Sequence, residues 1–363
     1  MRKFLVGCIS VGAALWLSVA AATATVNTTE RSIINIAEGV YVIRHPEAPD
    51  SFPQSNTTVI IGQRGVLVID SCYMPSSAQQ DIDQIRQWTS LPVRFLVNTH
   101  WHYDHTMGNG TYAKAFPALT IIAHPETLAS MRGYNPDWFK RYPAITANLQ
   151  KQLDKHRTDD GKPLTAAKKA ELLEQLKGRD EVEAEFAQIS DRLPDVTFDH
   201  QLTVDLGGRE VQLLHLGAGN TAGDVAAYLP KEKVVITGDL LDYPVPYLGG
   251  GYPKEQIETL RSVSLLDAQT IVPGHGEILR DKAYLNMVVE FLGVVTSSVQ
   301  AQIYRLGSGP TKLEEVRAAV LKDVDFDAWR QRFAGDDKDS REFFDTFSKP
   351  GLITAAYAET WRR

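Results

Sequence analysis

Four side chains that can bind a metal ion lie within six consecutive residues of the 363-residue chain. His100 and His102 are two residues apart, so in an extended backbone their imidazoles project to the same side. Asp104 and His105 follow after the chain has turned, and they can face a second position nearby. Imidazole nitrogens and carboxylate oxygens are ligands that Zn²⁺ accepts, at about 2.0–2.2 Å. The stretch therefore predicts a metal centre, with a group of satisfied core residues as the alternative.

Two more candidate ligands end hydrophobic runs later in the chain. Asp239 follows residues 235–238, and His275 follows residues 271–274 and precedes a glycine. Either motif alone also occurs in ordinary turns. Functional residues concentrate on the loops at strand ends, so these two motifs and the stretch at 100–105 together predict a cage for two metal ions.

The order and spacing of these motifs resemble the metallo-β-lactamase superfamily over residues 34–279. The resemblance rests on the HxHxDH stretch at His100–His105, Gly219–Asp224, Gly238-Asp239 and the Pro-Gly-His-Gly segment at 273–276. It implies an α/β fold, an αββα sandwich of two facing sheets with the active site along one edge. It also implies a zinc-dependent hydrolase that binds one or two Zn²⁺ ions per chain.

The resemblance further implies a role for each candidate ligand. His100 and His102 would hold the first zinc ion. The second ion would be held by Asp104, His105 and His275. Asp239 would bridge the two ions or bind one of them. These roles are expectations that come from the motif of the family.

One residue departs from the pattern of the family. Members usually carry a third histidine at the first site, in a Gly-His-Thr segment, where this chain has Asn220. A neutral amide oxygen is a poorer zinc ligand than an imidazole, so we expect a second site that fills normally and a first site that fills weakly. His215 and Asp224 are candidates to replace the missing ligand. Asp70, at the end of an apolar run, is interpreted either as a partner that orients a ligand or as a turn carboxylate.

The candidate ligands define the expected chemistry. Zinc lowers the pKa of bound water from about 15.7 toward 7, so hydroxide forms at neutral pH and can attack a carbonyl or phosphoryl centre. Asp104 is placed to orient this nucleophile and to take its proton. We expect a small-molecule substrate with an ester, lactone, thioester or amide-type linkage. A β-lactamase proper and a non-catalytic zinc- or ligand-binding protein with a degenerate site are the alternatives, because the fold does not choose among them.

Strand and helix patterns alternate around these motifs. Runs rich in β-branched residues predict strands at 40–43, 58–61, 66–69, 93–97, 120–123, 202–204, 211–214, 225–228, 234–236 and 270–272. Helices are predicted at 77–88, 125–131 and 254–266. Between about 134 and 193, apolar residues recur at spacings of three and four, which predicts an amphipathic helical insertion. This insertion is interpreted as a packed flap or as a substrate lid.

The N-terminal segment predicts export. Arg2 and Lys3 precede an apolar run from Phe4 to Ala22, and the small residues Ala22-Thr23-Ala24 end it. This is the pattern of a signal peptide over residues 1–24, with an uncleaved membrane anchor as the alternative. We therefore expect a periplasmic or secreted protein that has no membrane contact after cleavage. The remaining chain divides into a metallo-β-lactamase-like domain at 31–280 and a helical C-terminal extension at 281–363.

Composition narrows the class of protein further. The chain is 43% hydrophobic and 23% charged, which is typical of a soluble globular protein. Its net charge of −7 and the lack of a basic patch in the sequence argue against nucleic acid as a partner. Signal cleavage would leave Cys72 as the one cysteine, so an intrachain disulfide is not expected. The sequence leaves the substrate and the oligomeric state open.

Overall fold

The computed structural model describes residues 30–159, 161–188 and 191–361. The expected signal peptide at 1–24 lies outside the described residues. The first sheet has seven strands in chain order: β1 Ser32–Ala37, β2 Val40–Arg44, β3 Thr57–Ile61, β4 Val66–Ile69, β5 Val93–Val97, β6 Thr120–Ala123 and β7 Val196–Thr197. Strands β1 to β4 pair antiparallel, and β4 to β7 pair parallel.

The second sheet has five strands in the order β12-β11-β10-β9-β8. Their bounds are β8 Gln201–Asp205, β9 Glu210–Leu214, β10 Ala226–Leu229, β11 Val234–Asp242 and β12 Thr270–His275. Neighbouring strands are antiparallel except β11 and β12, which are parallel. The carboxyl ends of β11 and β12 therefore lie side by side.

Helices flank the two sheets, and further helices form the insertion and the C-terminal extension. Before the second sheet come α1 Pro75–Trp88, α2 Tyr103–Thr106, α3 Asn109–Ala115, α4 Pro125–Lys155 and α5 Ala166–Phe186. After β11 come α6 Pro253–Leu265, α7 Ala283–Leu306, α8 Leu313–Asp323, α9 Phe326–Ala334, α10 Lys338–Phe343, a π-helical turn at Phe344–Ser348 and α11 Lys349–Trp361. Among the described residues, no helix combines the length and apolar character needed for a membrane span.

Three layers of apolar side chains hold the sheets and helices together. Val42 of β2 and Leu213 of β9 belong to one buried core shared by the two sheets. Ile82 of α1 packs on the outer face of the first sheet. Val263 of α6 and Phe291 of α7 pack with the outer face of the second sheet. Apolar area removed from water on both faces of each sheet stabilises this arrangement. The order of the layers, helix, sheet, sheet and helix, confirms the predicted αββα sandwich.

The structure differs from the predicted elements in two ways that matter for the site. Helix α4 runs without a break through residue 134, because buried Met131, Tyr142 and Leu149 form one apolar stripe along it. Strand β11 extends beyond the predicted 234–236 to residue 242, past a shift of register beside Gly238, whose φ is 52°. Such a bulge redirects a strand without ending it. Asp239 and His275 consequently lie within strands, rather than on the loops after them.

Candidate metal centre

The candidate ligands come from three adjacent parts of the fold. His100 and His102 lie in the loop that follows β5, and Asp104 and His105 lie on the short helix α2. Asp239 and His275 come from the neighbouring parallel strands β11 and β12. The two sheets thus bring together residues separated by more than 130 positions, at one edge of the sandwich.

Four side chains form a first group of possible metal ligands: Asp104, His105, Asp239 and His275. His275 Nε2 lies 2.9 Å from Asp104 Oδ2 and 3.6 Å from Asp239 Oδ1. His105 Nε2 lies 3.0 Å from Asp239 Oδ1 and 3.4 Å from Asp104 Oδ2. All four residues are buried. This group corresponds to the second site expected from the sequence.

His100, His102 and Asp239 form a second group. His100 Nε2 lies 3.4 Å from Asp239 Oδ2. Asn220 lies against the same three residues, with Nδ2 3.3 Å from His100 Nε2, 3.2 Å from His102 Nδ1 and 3.3 Å from Asp239 Oδ2. The structure therefore brings Asn220 to the place where the sequence predicts a third ligand. Turning the amide by half a rotation would direct Oδ1 at these groups, as metal binding requires.

The donor atoms fit a metal ion. A tetrahedral ion with bonds of about 2.1 Å separates its ligand atoms by roughly 3.4 Å, close to the separations in both groups. Among the described residues, His105 Nε2, Asp239 Oδ1 and Asn220 Oδ1 are buried without a hydrogen-bond partner, although the first two are 3.0 Å apart. Buried polar atoms without partners are rare. His105 Nε2 and Asp239 Oδ1 belong to one ligand group and could hold a metal ion there, and Asn220 Oδ1 could face the other group once its amide is turned.

The charges of the site shift the pKa values of its own groups. Burial alone would raise the pKa of Asp104 and of Asp239, but the neighbouring histidines outweigh it and hold both values well below the usual range. Burial would lower the pKa of His275, yet Asp239 and Asp104 raise it to about 9. Burial and His100 lower the pKa of His102 to about 3, so its ring is neutral at pH 7, the state in which imidazole binds a metal.

Asp70 orients one of the histidines. The Oδ2 atom of Asp70 lies 2.7 Å from His105 Nδ1. Its Oδ1 accepts a hydrogen bond from the backbone N–H of Thr99 and its Oδ2 accepts one from the Thr99 hydroxyl, each at 2.8 Å. Because Nδ1–H of His105 donates to this carboxylate, Nε2 is left to face Asp104 and Asp239. Of the two interpretations made from the sequence, the geometry supports the partner that orients a ligand.

Asp224 and Gly251 shape the loop that carries Asn220. Asp224 belongs to neither ligand group, and its carboxylate accepts hydrogen bonds from the backbone N–H of Thr221 at 2.9 Å and from its hydroxyl at 3.1 Å. His215 also lies outside the groups, since its Nδ1 bonds the carbonyl of Asp224 at 2.8 Å. A Cβ on Gly251 would lie 2.4 Å from the carbonyl oxygen of Gly219, so a larger residue there would displace the loop.

The sequence analysis missed Asp242, which lies three residues beyond Asp239 on β11. It is buried, and its Oδ1 has no hydrogen-bond partner among the described residues. Burial and the nearby Asp239 raise its pKa well above the usual range. Only the pair Leu240 and Leu241 separates the two aspartates, and it continues the strand.

A separate buried group also contains metal-binding atom types: His45, Cys72 and Asp81. Asp81 already accepts a hydrogen bond from Arg31 at 2.9 Å and faces His45 Nε2 at 2.9 Å. His45 Nδ1 bonds the carbonyl of Ser55 at 2.8 Å. A guanidinium on the carboxylate disfavours a second cation there, so Arg31, Asp81 and His45 form a hydrogen-bonded network that joins the segment after β2 to α1.

Comparison with known proteins identifies the family. The family model for the metallo-beta-lactamase superfamily matches residues 50–275, more than half of the chain. A curated relative, the 2,4-dinitroanisole O-demethylase subunit alpha of Nocardioides sp. (strain JS1661), is 24% identical over 227 residues, which are 60% of this chain and 52% of that protein. The chain thus spans about half the length of this relative.

Solved structures show the same fold at low identity. A metallo-beta-lactamase from Pontibacter korlensis is 17% identical with a TM-score of 0.51, covering 73% of this chain and 99% of that one. The sec-alkylsulfatase Pisa1 from Pseudomonas sp. is 15% identical with a TM-score of 0.58, covering 90% of this chain and 50% of that one. The match to Pisa1 covers 90% of this chain, which is more residues than the range 31–280 contains. It therefore includes helices outside the sandwich.

Proposed function

Since the chain belongs to the metallo-beta-lactamase superfamily, we propose that it is a zinc-dependent hydrolase acting on a small ester, lactone, thioester or amide-type substrate. The observation that carries this proposal is the position of Asp239. Its Oδ1 lies 3.0 Å from His105 Nε2, and its Oδ2 lies 3.4 Å from His100 Nε2. A carboxylate shared in this way by two groups of imidazoles supports a two-metal centre.

The residues that would hold the ions follow from the two groups. His100, His102 and Asp239 would hold the first ion, with the Asn220 amide beside them, and Asp104, His105, His275 and Asp239 would hold the second. When bound, such ions supply Lewis acidity, which polarises a substrate oxygen and lowers the pKa of water. Zinc suits this set better than iron because imidazoles outnumber carboxylates.

We assign proton transfer to Asp104. Its low pKa keeps the carboxylate ionised at neutral pH, because His105 and His275 outweigh the effect of burial. Its Oδ2 lies 2.9 Å from His275 Nε2, which fixes the orientation of the carboxylate. An ionised carboxylate in a fixed position can orient a water molecule and accept its proton.

Asn220 makes the two sites unequal. The amide is neutral and lies 3.2–3.3 Å from His100, His102 and Asp239, where an imidazole would bind zinc more tightly. We therefore propose that the second site fills first and that the first site fills weakly. Neither His215 nor Asp224 belongs to a ligand group, and both make hydrogen bonds within the loop around Asn220.

We also propose, on the basis of the sequence, that the protein is exported. Residues 1–24 have the charged start, the apolar run and the small residues of a secretory signal. Expression of the full chain in a bacterium, followed by N-terminal sequencing of the protein from the periplasm, tests it. An intact N-terminus in the membrane fraction would contradict cleavage.

The variant Asp104→Asn tests the catalytic assignment. The amide keeps the size of the side chain but cannot accept a proton, so we expect kcat to fall by about 10²–10⁴-fold. The zinc-loaded chain and the variant are assayed on β-lactam, lactone, thioester and phosphodiester substrates, at matched zinc content. Retained kcat would contradict the role of Asp104.

The same panel separates the alternative functions. Turnover of β-lactams alone would indicate a β-lactamase proper. Zinc binding without turnover of any substrate would indicate a non-catalytic binding protein and overturn the proposal of a hydrolase.

A further inference from the structure

The candidate metal ligands differ in their exposure to solvent. His100, Asp104, His105, Asp239 and His275 are buried, whereas His102 is only half-buried. His102 is therefore the most exposed of these candidate ligands, and a substrate that contacts it approaches from that side. The side chains that surround His102 on its solvent side determine what can bind there.

Two stacked aromatic rings lie beside His102. The ring of Trp101 meets the ring of His102 edge to face, with centroids 4.5 Å apart and an interplanar angle of 76°. The ring of Tyr134 stacks on Trp101 at 4.4 Å and 17°. We call Trp101 and Tyr134 the aromatic platform.

The platform is held rigidly in place. The hydroxyl of Tyr103 donates to the carbonyl of Tyr134 at 3.1 Å, which ties helix α4 to helix α2. Trp101 packs against a buried cluster that includes Phe52, Tyr73 and Phe186. A binding surface that is fixed before the ligand arrives loses little conformational entropy on binding.

The exposure of the platform distinguishes it from this cluster. Tyr134 is 42% exposed and Trp101 is half-buried, whereas the rings below them are buried. An aromatic side chain that serves only the core gains from full burial. The platform instead presents aromatic surface to solvent beside His102.

We propose that the aromatic platform binds a planar, apolar group of the substrate, such as an aryl ring, and so determines specificity. The inference rests on the proposed function, because it takes the ligand groups to be the reacting centre. Aromatic rings attract one another in offset-stacked and edge-to-face arrangements, which a saturated ring cannot match. The platform would hold the aryl ring while the scissile bond lies over the ligands.

The binding of two neutral probes tests this proposal, and their affinity is measured separately from any turnover. Phenylacetamide and cyclohexylacetamide share their amide and differ in the planarity of the ring, and their affinities for the zinc-loaded chain are measured by ligand-observed NMR. In Tyr134→Leu we expect the affinity for phenylacetamide to fall by about tenfold and that for cyclohexylacetamide to change by less than about twofold. Trp101→Leu should act in the same direction at unchanged zinc content.

A matched control is Tyr304→Leu, because Tyr304 is a helical tyrosine that is 94% exposed on α7. It should leave both affinities unchanged. Equal affinities for the two probes, an unchanged phenylacetamide affinity in Tyr134→Leu, or no measurable binding of phenylacetamide would overturn the proposal. Failure of hydrolysis is detected separately, by the assays on Asp104→Asn.

Discussion

His105 can bind a metal ion only through Nε2, because its other ring nitrogen bonds Asp70 at 2.7 Å. Asp70 is itself fixed by two hydrogen bonds from Thr99, and its backbone adopts a positive φ of 59°. A non-glycine residue in that region costs about 1–3 kcal/mol and persists where its surroundings hold it. The observed strain is consistent with a functional position for the Asp70 carboxylate.

Asp70→Asn should weaken metal binding by about 10–100-fold. The substituted amide loses the charge that draws Nδ1–H of His105 toward it, so the ring is no longer held with Nε2 directed at Asp104 and Asp239. The measurement is a zinc titration against a competing chelator. Asp83→Asn is the control, since Asp83 is a 57% exposed carboxylate on α1. Equal zinc affinities of the wild type and Asp70→Asn would contradict this role.

At this scale the sequence predicts residue types better than their partners. The spacing of His100 and His102 is sufficient to predict that the two rings share a site, because alternation in extended backbone is local geometry. The sequence predicts that Asp70 lies directly after β4. It does not predict the bond to His105, because that bond depends on how β4 and β5 pair. Asp242 was missed because a bulge cannot be read from the residues at 236–238.

At the scale of elements, the helical insertion is docked by direct backbone contact. A Cβ added to Gly178 of α5 would lie 1.9 Å from the carbonyl oxygen of Pro49, in the loop between β2 and β3. The hydroxyl of Tyr142 on α4 donates to Asp50 in the same loop at 2.8 Å. The sequence leaves two interpretations of the insertion, a packed flap and a substrate lid. Contacts of this closeness favour the packed flap.

Gly178→Ala should destabilise the protein by about 1–3 kcal/mol, because the methyl group has no space against Pro49. Gly133→Ala is the matched control, since Gly133 lies inside the long helix α4 and a Cβ there would meet no atom of another described segment within 4 Å. That change should be neutral or stabilise by up to about 1 kcal/mol. Urea unfolding gives both values. A neutral Gly178→Ala would show that the contact with the loop is not close in solution.

The C-terminal helices contact the loop that lies beside Asn220. The hydroxyl of Ser348 donates to the carbonyl of Pro246 at 2.5 Å, and a Cβ on Gly351 would lie 3.1 Å from Cα of Gly249. The same loop continues to Gly251, which contacts the backbone of Gly219 and Asn220. The apolar pattern after residue 281 predicts helices, but not that they reach the loop beside Asn220, because that contact depends on tertiary packing.

At the scale of the whole molecule, the predicted extension is not separate from the sandwich. Phe291, Phe344 and Leu352 belong to the same buried cluster as Val235 of β11 and Ile271 of β12. A shared core of this kind folds as one unit with the sheet it covers. The division at residue 280 stays a prediction about domain organisation, and the packing across it is continuous.

Glu47 links the pH of the solution to the stability of the whole fold. Its pKa is raised from 4.5 to about 7 by burial, with further contributions from the carboxylates of Asp339 and Asp50. The folded protein therefore holds a proton that the unfolded chain has lost between these pH values. Stability that is present below pH 4.5 is consequently lost as the pH rises toward 7.

Glu47→Gln should remove this loss, because the amide carries no charge at any pH. We expect the variant to be more stable than the wild type by about 1 kcal/mol at pH 8 and equally stable at pH 4, a value discounted for the partial exposure of the group. Urea unfolding at both pH values measures the difference. Glu181→Gln, an exposed glutamate on α5, is the control. Parallel pH profiles of the wild type and Glu47→Gln would contradict the prediction.

The most direct measurement is the zinc content of the protein after loading and dialysis, by inductively coupled plasma mass spectrometry. We predict about one zinc ion per wild-type chain, held by Asp104, His105, His275 and Asp239, and about two per chain in Asn220→His. About two ions in the wild type would contradict a weak first site. A chain that retains no zinc would contradict the metal centre itself and the hydrolase proposed from it.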